Sequence, residues 1–126
     1  MVESVFNELN LVDYLVAPAR ISEAVADEAR RVALSVVEAM DFMGLLAIEL
    51  FLDKDGRILV NEVAPRAHNS GHHTIEACGT SQFEQHLRAI LGLPLGDTAQ
   101  WTAAAMLNLI GAPGANGVPT LSLIHI

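Results

Sequence analysis

Apolar residues recur along this chain in two rhythms. From Val25 onward, Val25, Ala29, Val32, Val36 and Met40 come at steps of four and three, which sets them on one face of a helix. Ser22 stands just before it, and its hydroxyl can accept from a free amide of the first turn. Asp27 and Arg31 lie four apart on the other face, in the order that favours an ion pair. The second rhythm belongs to strands. Leu45 to Leu52 is apolar except for Glu49, Asp53-Lys54-Asp55-Gly56 is turn chemistry, and Ile58-Leu59-Val60 resumes the apolar pattern. The pair predicts a β-hairpin.

Flanking segments are shorter. Ser4 to Val16 predicts one or two strands with a turn near Asn7-Glu8, and Pro18 interrupts whatever precedes it. Pro65 to Thr74 is polar and rich in His, Asn, Ser and Gly, which predicts a loop. Ser81 and Glu84 have the spacing of a capping box, with Phe83, Leu87 and Ile90 on the face expected to be buried. Gly92 and Pro94 end that helix. Gln100 to Ile110 predicts a further strand, and Gly111 to Gly114 a loop. No internal repeat is visible. The last six residues, 121–126, match the translation of a common sequencing adapter and are read as an artefact, with a short apolar strand as the alternative.

Composition narrows the function classes. At 126 residues and 52% apolar content the chain can build one small core. Seven Lys and Arg against 15 Asp and Glu give a formal charge of -8. Such a balance repels a phosphate backbone, so no nucleic-acid partner is expected. A nucleotide is still allowed, because an acidic site can hold ATP through magnesium. Cys78 is the single cysteine, which precludes an internal disulfide and suits a cytoplasmic location. No apolar run approaches a membrane span, and Met1-Val2-Glu3-Ser4 does not begin a signal peptide.

Glu49 is the most informative position. A carboxylate within so apolar a strand either points to solvent or has a cation, since burying it unpaired costs several kcal/mol. With a four-residue turn at Asp53 to Gly56, Leu52 pairs with Arg57 and Glu49 faces Val60. Glu62 then lies diagonal to Glu49 on the same face, its β-carbon about 7 Å away. Two carboxylates that close repel unless something positive lies between them. Magnesium suits them, being usually held by one or two carboxylates plus substrate phosphates. An exposed hairpin face with both glutamates solvated is the alternative, and a bulge in the turn would shift the register.

The stretch Asn61-Glu62-Val63-Ala64-Pro65-Arg66-Ala67-His68-Asn69-Ser70-Gly71-His72 resembles the signature of the N5-carboxyaminoimidazole ribonucleotide synthases, enzymes of the ATP-grasp family. Ser81-Gln82-Phe83-Glu84-Gln85-His86-Leu87-Arg88-Ala89-Ile90 resembles it too, as do Ala17 to Ile21, Gly44 to Phe51 and Met106 to Gly111. The resemblance implies an α+β fold, the C-terminal half of an ATP-grasp domain, with an antiparallel sheet and helices packed on one side. It implies residues 1–96 in that domain and 97–120 at the start of a small β-rich one. It also implies ATP and Mg2+ as cofactors, 5-aminoimidazole ribonucleotide and bicarbonate as substrates, and a homodimeric full-length protein. The reaction implied passes through carboxyphosphate, formed when bicarbonate takes the γ-phosphoryl group.

By the same resemblance Glu49 and Glu62 are metal ligands, and Asn61 and Glu62 lie at the nucleotide. Arg66, His68 and Asn69 are the catalytic set around carboxyphosphate, with Ser70 donating and Gly71 letting the backbone approach. The lid and N-terminal domain of the family have no counterpart in this chain, so the chain alone is expected to be inactive. Other readings stay open. Arg66 could be a surface ion-pair partner, Asn69-Ser70-Gly71 an ordinary turn, and the His68/His72 pair a zinc site lacking further ligands. Formate-dependent glycinamide ribonucleotide transformylases carry a similar loop but with Pro-His-Asp-Thr-Gly, where this chain has Ala67, Asn69 and Ser70. A non-catalytic module binding a divalent ion or a partner through the acidic face is the reading from another class.

Overall fold

The computed structural model describes residues 1–108 together with Gly114, Asn116 and Gly117. The tail at 121–126 and the loop predicted at 111–114, apart from Gly114, lie outside the described residues. Among the described residues five strands and three α-helices follow in the order β1 (Glu3–Phe6), β2 (Val12–Ala17), α1 (Glu23–Met40), β3 (Ala47–Leu52), β4 (Ile58–Ala64), α2 (Thr74–Ala77), α3 (Gln82–Ile90) and β5 (Ala104–Leu107). A 3-10 turn over Asn69–Gly71 sits between β4 and α2, within the segment expected to be plain loop. All pairings are antiparallel, and they form two sheets: β1-β2-β5, and the hairpin β3-β4.

Helix α1 begins where the cap chemistry places it. Ser22 is extended and its side chain accepts from Val25 N–H at 3.4 Å, an interaction generally contributing about 1 kcal/mol. The helix packs against β4 through its small residues: Ala26 and Ala29 are buried on α1, as is Ala64 on β4. Met40, at the far end of the predicted stripe, is exposed because the helix ends there and the chain turns through Asp41 in a left-handed conformation. The expected Asp27–Arg31 pair is not made. Arg30 takes Asp27, and Arg31 forks onto Glu28 with Nε to Oε2 at 2.8 Å, so both pairs use the i,i+3 step.

Helix α3 departs from expectation in two ways. Ser81 caps it, accepting from Glu84 N–H at 3.2 Å, but Glu84 does not reach back; its carboxylate takes Arg88 Nε at 2.8 Å one turn on. Phe83, Leu87 and Ile90 are exposed, because no described helix or strand covers that face and a single ring, His72, stacks on Phe83. The residue that α3 buries is Gln82. Of the strand predicted over 100–110, residues 109 and 110 lie outside the described residues; Gln100 makes an isolated bridge to Cys78, and β5 runs from Ala104 to Leu107 beside β2. Cys78 is buried and free.

Candidate functional site

The site is set by the hairpin, and the hairpin by Asp53. Its Oδ1 accepts from the amides of Asp55 at 2.9 Å and Arg57 at 2.8 Å, while Oδ2 accepts from Arg57 Nε at 2.8 Å. These bonds, led by that to the Arg57 amide, hold the carboxyl below its ordinary range. Gly56 takes φ 81°, the left-handed region that glycine enters freely. Asp53 and Arg57 close the turn through an N–H to O bond of 3.0 Å, and Leu52 therefore pairs with Ile58, not with Arg57. The register is one residue further along than a four-residue turn predicts.

A second irregularity follows. Leu50 pairs with Val60 but Glu49 pairs with Glu62, leaving Asn61 as an extra residue in β4. Glu49 therefore does not face Val60, and Glu62 is not diagonal to it but directly opposite. Two one-residue shifts restore the parity that either alone would break, so Glu49 and Glu62 share a face after all. Directly opposed residues have β-carbons about 4.5–5.5 Å apart, closer than the diagonal spacing predicts. The bulge also turns Asn61 to Glu49, whose Oε2 accepts from Asn61 Nδ2 at 3.1 Å.

The other oxygen of Glu49 meets the loop after β4. His68 Nε2 lies 3.4 Å from Glu49 Oε1. The backbone N–H of Ser70 donates to His68 Nδ1 at 3.3 Å, and Ser70 Oγ lies 2.9 Å from the same nitrogen. Nδ1 is thus an acceptor, so in the neutral ring the proton sits on Nε2, the nitrogen nearer the Glu49 carboxylate. Glu49 and Ser70 both line a groove of about 570 Å³ that runs between the hairpin and the start of α1. At its far end the Glu3 carboxylate binds Arg20 through the backbone N–H, Nε and Nη2 at 3.0, 2.9 and 2.7 Å.

Arg66 and Asn69 make no hydrogen bond to Glu49. Arg66 is exposed, makes no ion pair among the described residues, and donates from Nη1 to the Ala67 carbonyl at 3.0 Å. Asn69 donates from Nδ2 to Asn108 Oδ1 at 3.3 Å, and its own Oδ1 is buried without a protein partner. Glu62 is exposed. His72 and His68 share no ligand arrangement: His72 stacks on Phe83 and its Nδ1 lies 3.0 Å from Gln82 Nε2. His73 Nδ1 donates to the Ser70 carbonyl at 3.0 Å, and burial holds the ring pKa down. Among the described residues no three His, Cys, Asp or Glu side chains gather as a metal cage. A cation here would share the two glutamates with phosphate or water oxygens, the pattern magnesium favours.

Two contributors carry no signal in the periodicity. Gln82 grips the loop from α3, and Asn108 ties Asn69 to β2 by donating from Nδ2 to the Val12 carbonyl at 3.1 Å. Each lies far in sequence from its partners. Only the general rule that a buried amide must be paired could have pointed to Gln82.

Residues 2–83 match the sequence model of the ATP-grasp domain. The phosphoribosylaminoimidazole carboxylase of Vigna aconitifolia chloroplasts is 55% identical over 96 residues, covering 75% of this chain and 17% of that protein. The N5-carboxyaminoimidazole ribonucleotide synthase of Bacillus subtilis is 46% identical over 102 residues, 81% of this chain and 27% of its own. In three dimensions the chain is similar to the Aspergillus clavatus N5-carboxyaminoimidazole synthase in complex with ADP and 5-aminoimidazole ribonucleotide. The TM-score is 0.82 at 42% identity, over 88% of this chain and 30% of that one. The chain therefore spans less than a third of each of these relatives.

Proposed function

The chain belongs to the ATP-grasp family, and we propose that it is part of an ATP-dependent ligase that joins bicarbonate to the amine of 5-aminoimidazole ribonucleotide. The observation that carries this reading is the opposition of Glu49 and Glu62 across the hairpin, with Asn61 and His68 held on Glu49. The likeness to an enzyme crystallised with ADP and 5-aminoimidazole ribonucleotide supports it.

In this reading Glu49 and Glu62 would hold Mg2+, which supplies charge neutralisation at the ATP phosphates when bound. Asn61 orients the Glu49 carboxylate beside the nucleotide. Bicarbonate oxygen attacks the γ-phosphorus, ADP leaves, and carboxyphosphate forms. The amine then takes the carboxyl carbon, phosphate departs, and the amine loses a proton. Arg66 offers a planar fork with no carboxylate partner among the described residues, suited to gripping the transferred oxygens bidentately. His68 presents an N–H from Nε2 on the same side as Glu49, and Asn69 lies next to it in the loop. Residues 1–96 are assigned to the ATP-grasp domain and 97–120 to the start of a β-rich one, whose strand β5 already pairs with β2. The full-length protein is expected to be a cytoplasmic homodimer; no helix among the described residues is long and apolar enough to cross a membrane.

The test is ADP release by a full-length protein carrying this segment. Release should require bicarbonate and 5-aminoimidazole ribonucleotide, and the isolated 126-residue chain should show none. Release dependent on formate and glycinamide ribonucleotide would assign the segment to a transformylase instead.

A further inference from the structure

A buried primary amide destabilises the fold unless its acceptor and both its donors are used. Gln82, only 8% exposed at the first position of α3, uses all three on the loop. Its Oε1 accepts from the His68 N–H at 2.9 Å, and Nε2 donates to the His68 carbonyl at 2.8 Å. His68 is extended, with φ -130° and ψ 150°, so the amide pairs with it as a neighbouring strand would. The second Nε2 proton reaches His72 Nδ1 at 3.0 Å. The Gln82 backbone N–H donates to Thr74 Oγ1 at 2.9 Å, and that hydroxyl donates on to the Gly71 carbonyl at 2.5 Å.

The clamp has a consequence for the ring. With the His68 backbone held and Ser70 N–H seated on Nδ1, the imidazole is oriented with Nε2 on the Glu49 side, 3.4 Å from Oε1. Gly71 is part of the same fit, since a β-carbon there would run into the Gln82 amide, its Cδ at 2.6 Å. We propose that Gln82 is a positioning residue of the ligase reaction, holding His68 in the orientation and tautomer that face Glu49. This rests on the function proposed above. Gln82 touches no reacting atom itself and acts through His68.

The experiment uses a full-length protein carrying this segment. Gln82→Met keeps the length of the side chain and removes the amide. It should lower kcat for ADP release dependent on bicarbonate and 5-aminoimidazole ribonucleotide by roughly 10–100-fold, the cost typical of lost orientation at a reacting group. KM for ATP should change less than about twofold, because both carboxylates are kept and Asn61 still holds Glu49. Gly71→Ala drives a β-carbon into the same Gln82 amide from the loop side and should show the same split. Independently, imidazole nitrogen NMR of the unsubstituted protein should show His68 as the Nε2–H tautomer, and as a mixture in either variant. A folded variant with kcat within about twofold of the parent, or an Nδ1–H tautomer in the parent, overturns the proposal. If the parent shows no ADP release dependent on 5-aminoimidazole ribonucleotide, the assigned reaction fails, and the nitrogen spectra alone decide whether Gln82 positions His68.

Discussion

Glu49 and Glu62 face each other across the β3–β4 ladder, yet among the described residues only Glu49 is engaged by side chains: Asn61 Nδ2 lies 3.1 Å from one oxygen and His68 Nε2 3.4 Å from the other. Glu62 stands exposed. The two carboxylates are therefore unequal partners for a cation. Glu62→Gln in a full-length protein removes a hard ligand and little else, so magnesium-dependent ATP binding should weaken by roughly tenfold or more. Glu49→Gln should do the same and also loosen His68, so its kcat should fall further than that of Glu62→Gln. Titration calorimetry with ATP and magnesium, beside steady-state ADP release, separates the two. Equal binding by Glu62→Gln and the parent would remove Glu62 from the site.

Arg66 has no carboxylate partner among the described residues and is free to meet an anion. Arg66→Lys keeps the charge but loses the planar fork. ATP binding should stay nearly normal while turnover falls roughly 10²-fold, as when a preorganised charge-stabilising donor is lost. Intact turnover, or an ATP-binding loss equal to that of Glu62→Gln, would move this role to His68 or Asn69.

Gly56 holds φ 81° at a turn where an added β-carbon meets nothing within 4 Å. Gly56→Ala thus isolates the backbone term and should destabilise the chain by about 1 kcal/mol. Chemical denaturation of the 126-residue chain measures it. A change near zero would mean that the turn relaxes, and with it the register that opposes the two glutamates.

Glu3 is held at a pKa of about 2, chiefly by its side-chain bonds to Arg20 and then by the Arg20 amide. The unfolded carboxyl titrates near 4.5, so the folded group is the stronger acid. The stabilisation is fully present above about 4.5 and is lost as pH falls from there toward 2. Denaturation midpoints of the chain and of Glu3→Gln should differ at pH 7 and converge as the buffer approaches pH 2. A constant gap from pH 7 to pH 3 would contradict the assignment. Glu3 is partly solvated, so the gap should be small and should shrink in high salt.

What the sequence determined is local. Ser22, Ser81, Asp53 and Gly56 act within one turn of themselves, and each structures the backbone where its chemistry says it should. The common face of Glu49 and Glu62 agrees with the sequence reading only because the turn shift and the bulge, each of which flips the parity, cancel. The bulge at Asn61 was not legible, because an extra residue is tolerated or rejected by what packs on the strand, not by its neighbours in sequence. Nor were the contacts that assemble the candidate site. His68 meets Glu49 across 19 positions, Gln82 meets His68 across 14, and Asn69 meets Asn108 across 39. The exposure of Phe83, Leu87 and Ile90 shows the same limit: a periodic stripe tells which side chains share a face, and only the tertiary structure decides whether anything lies against it.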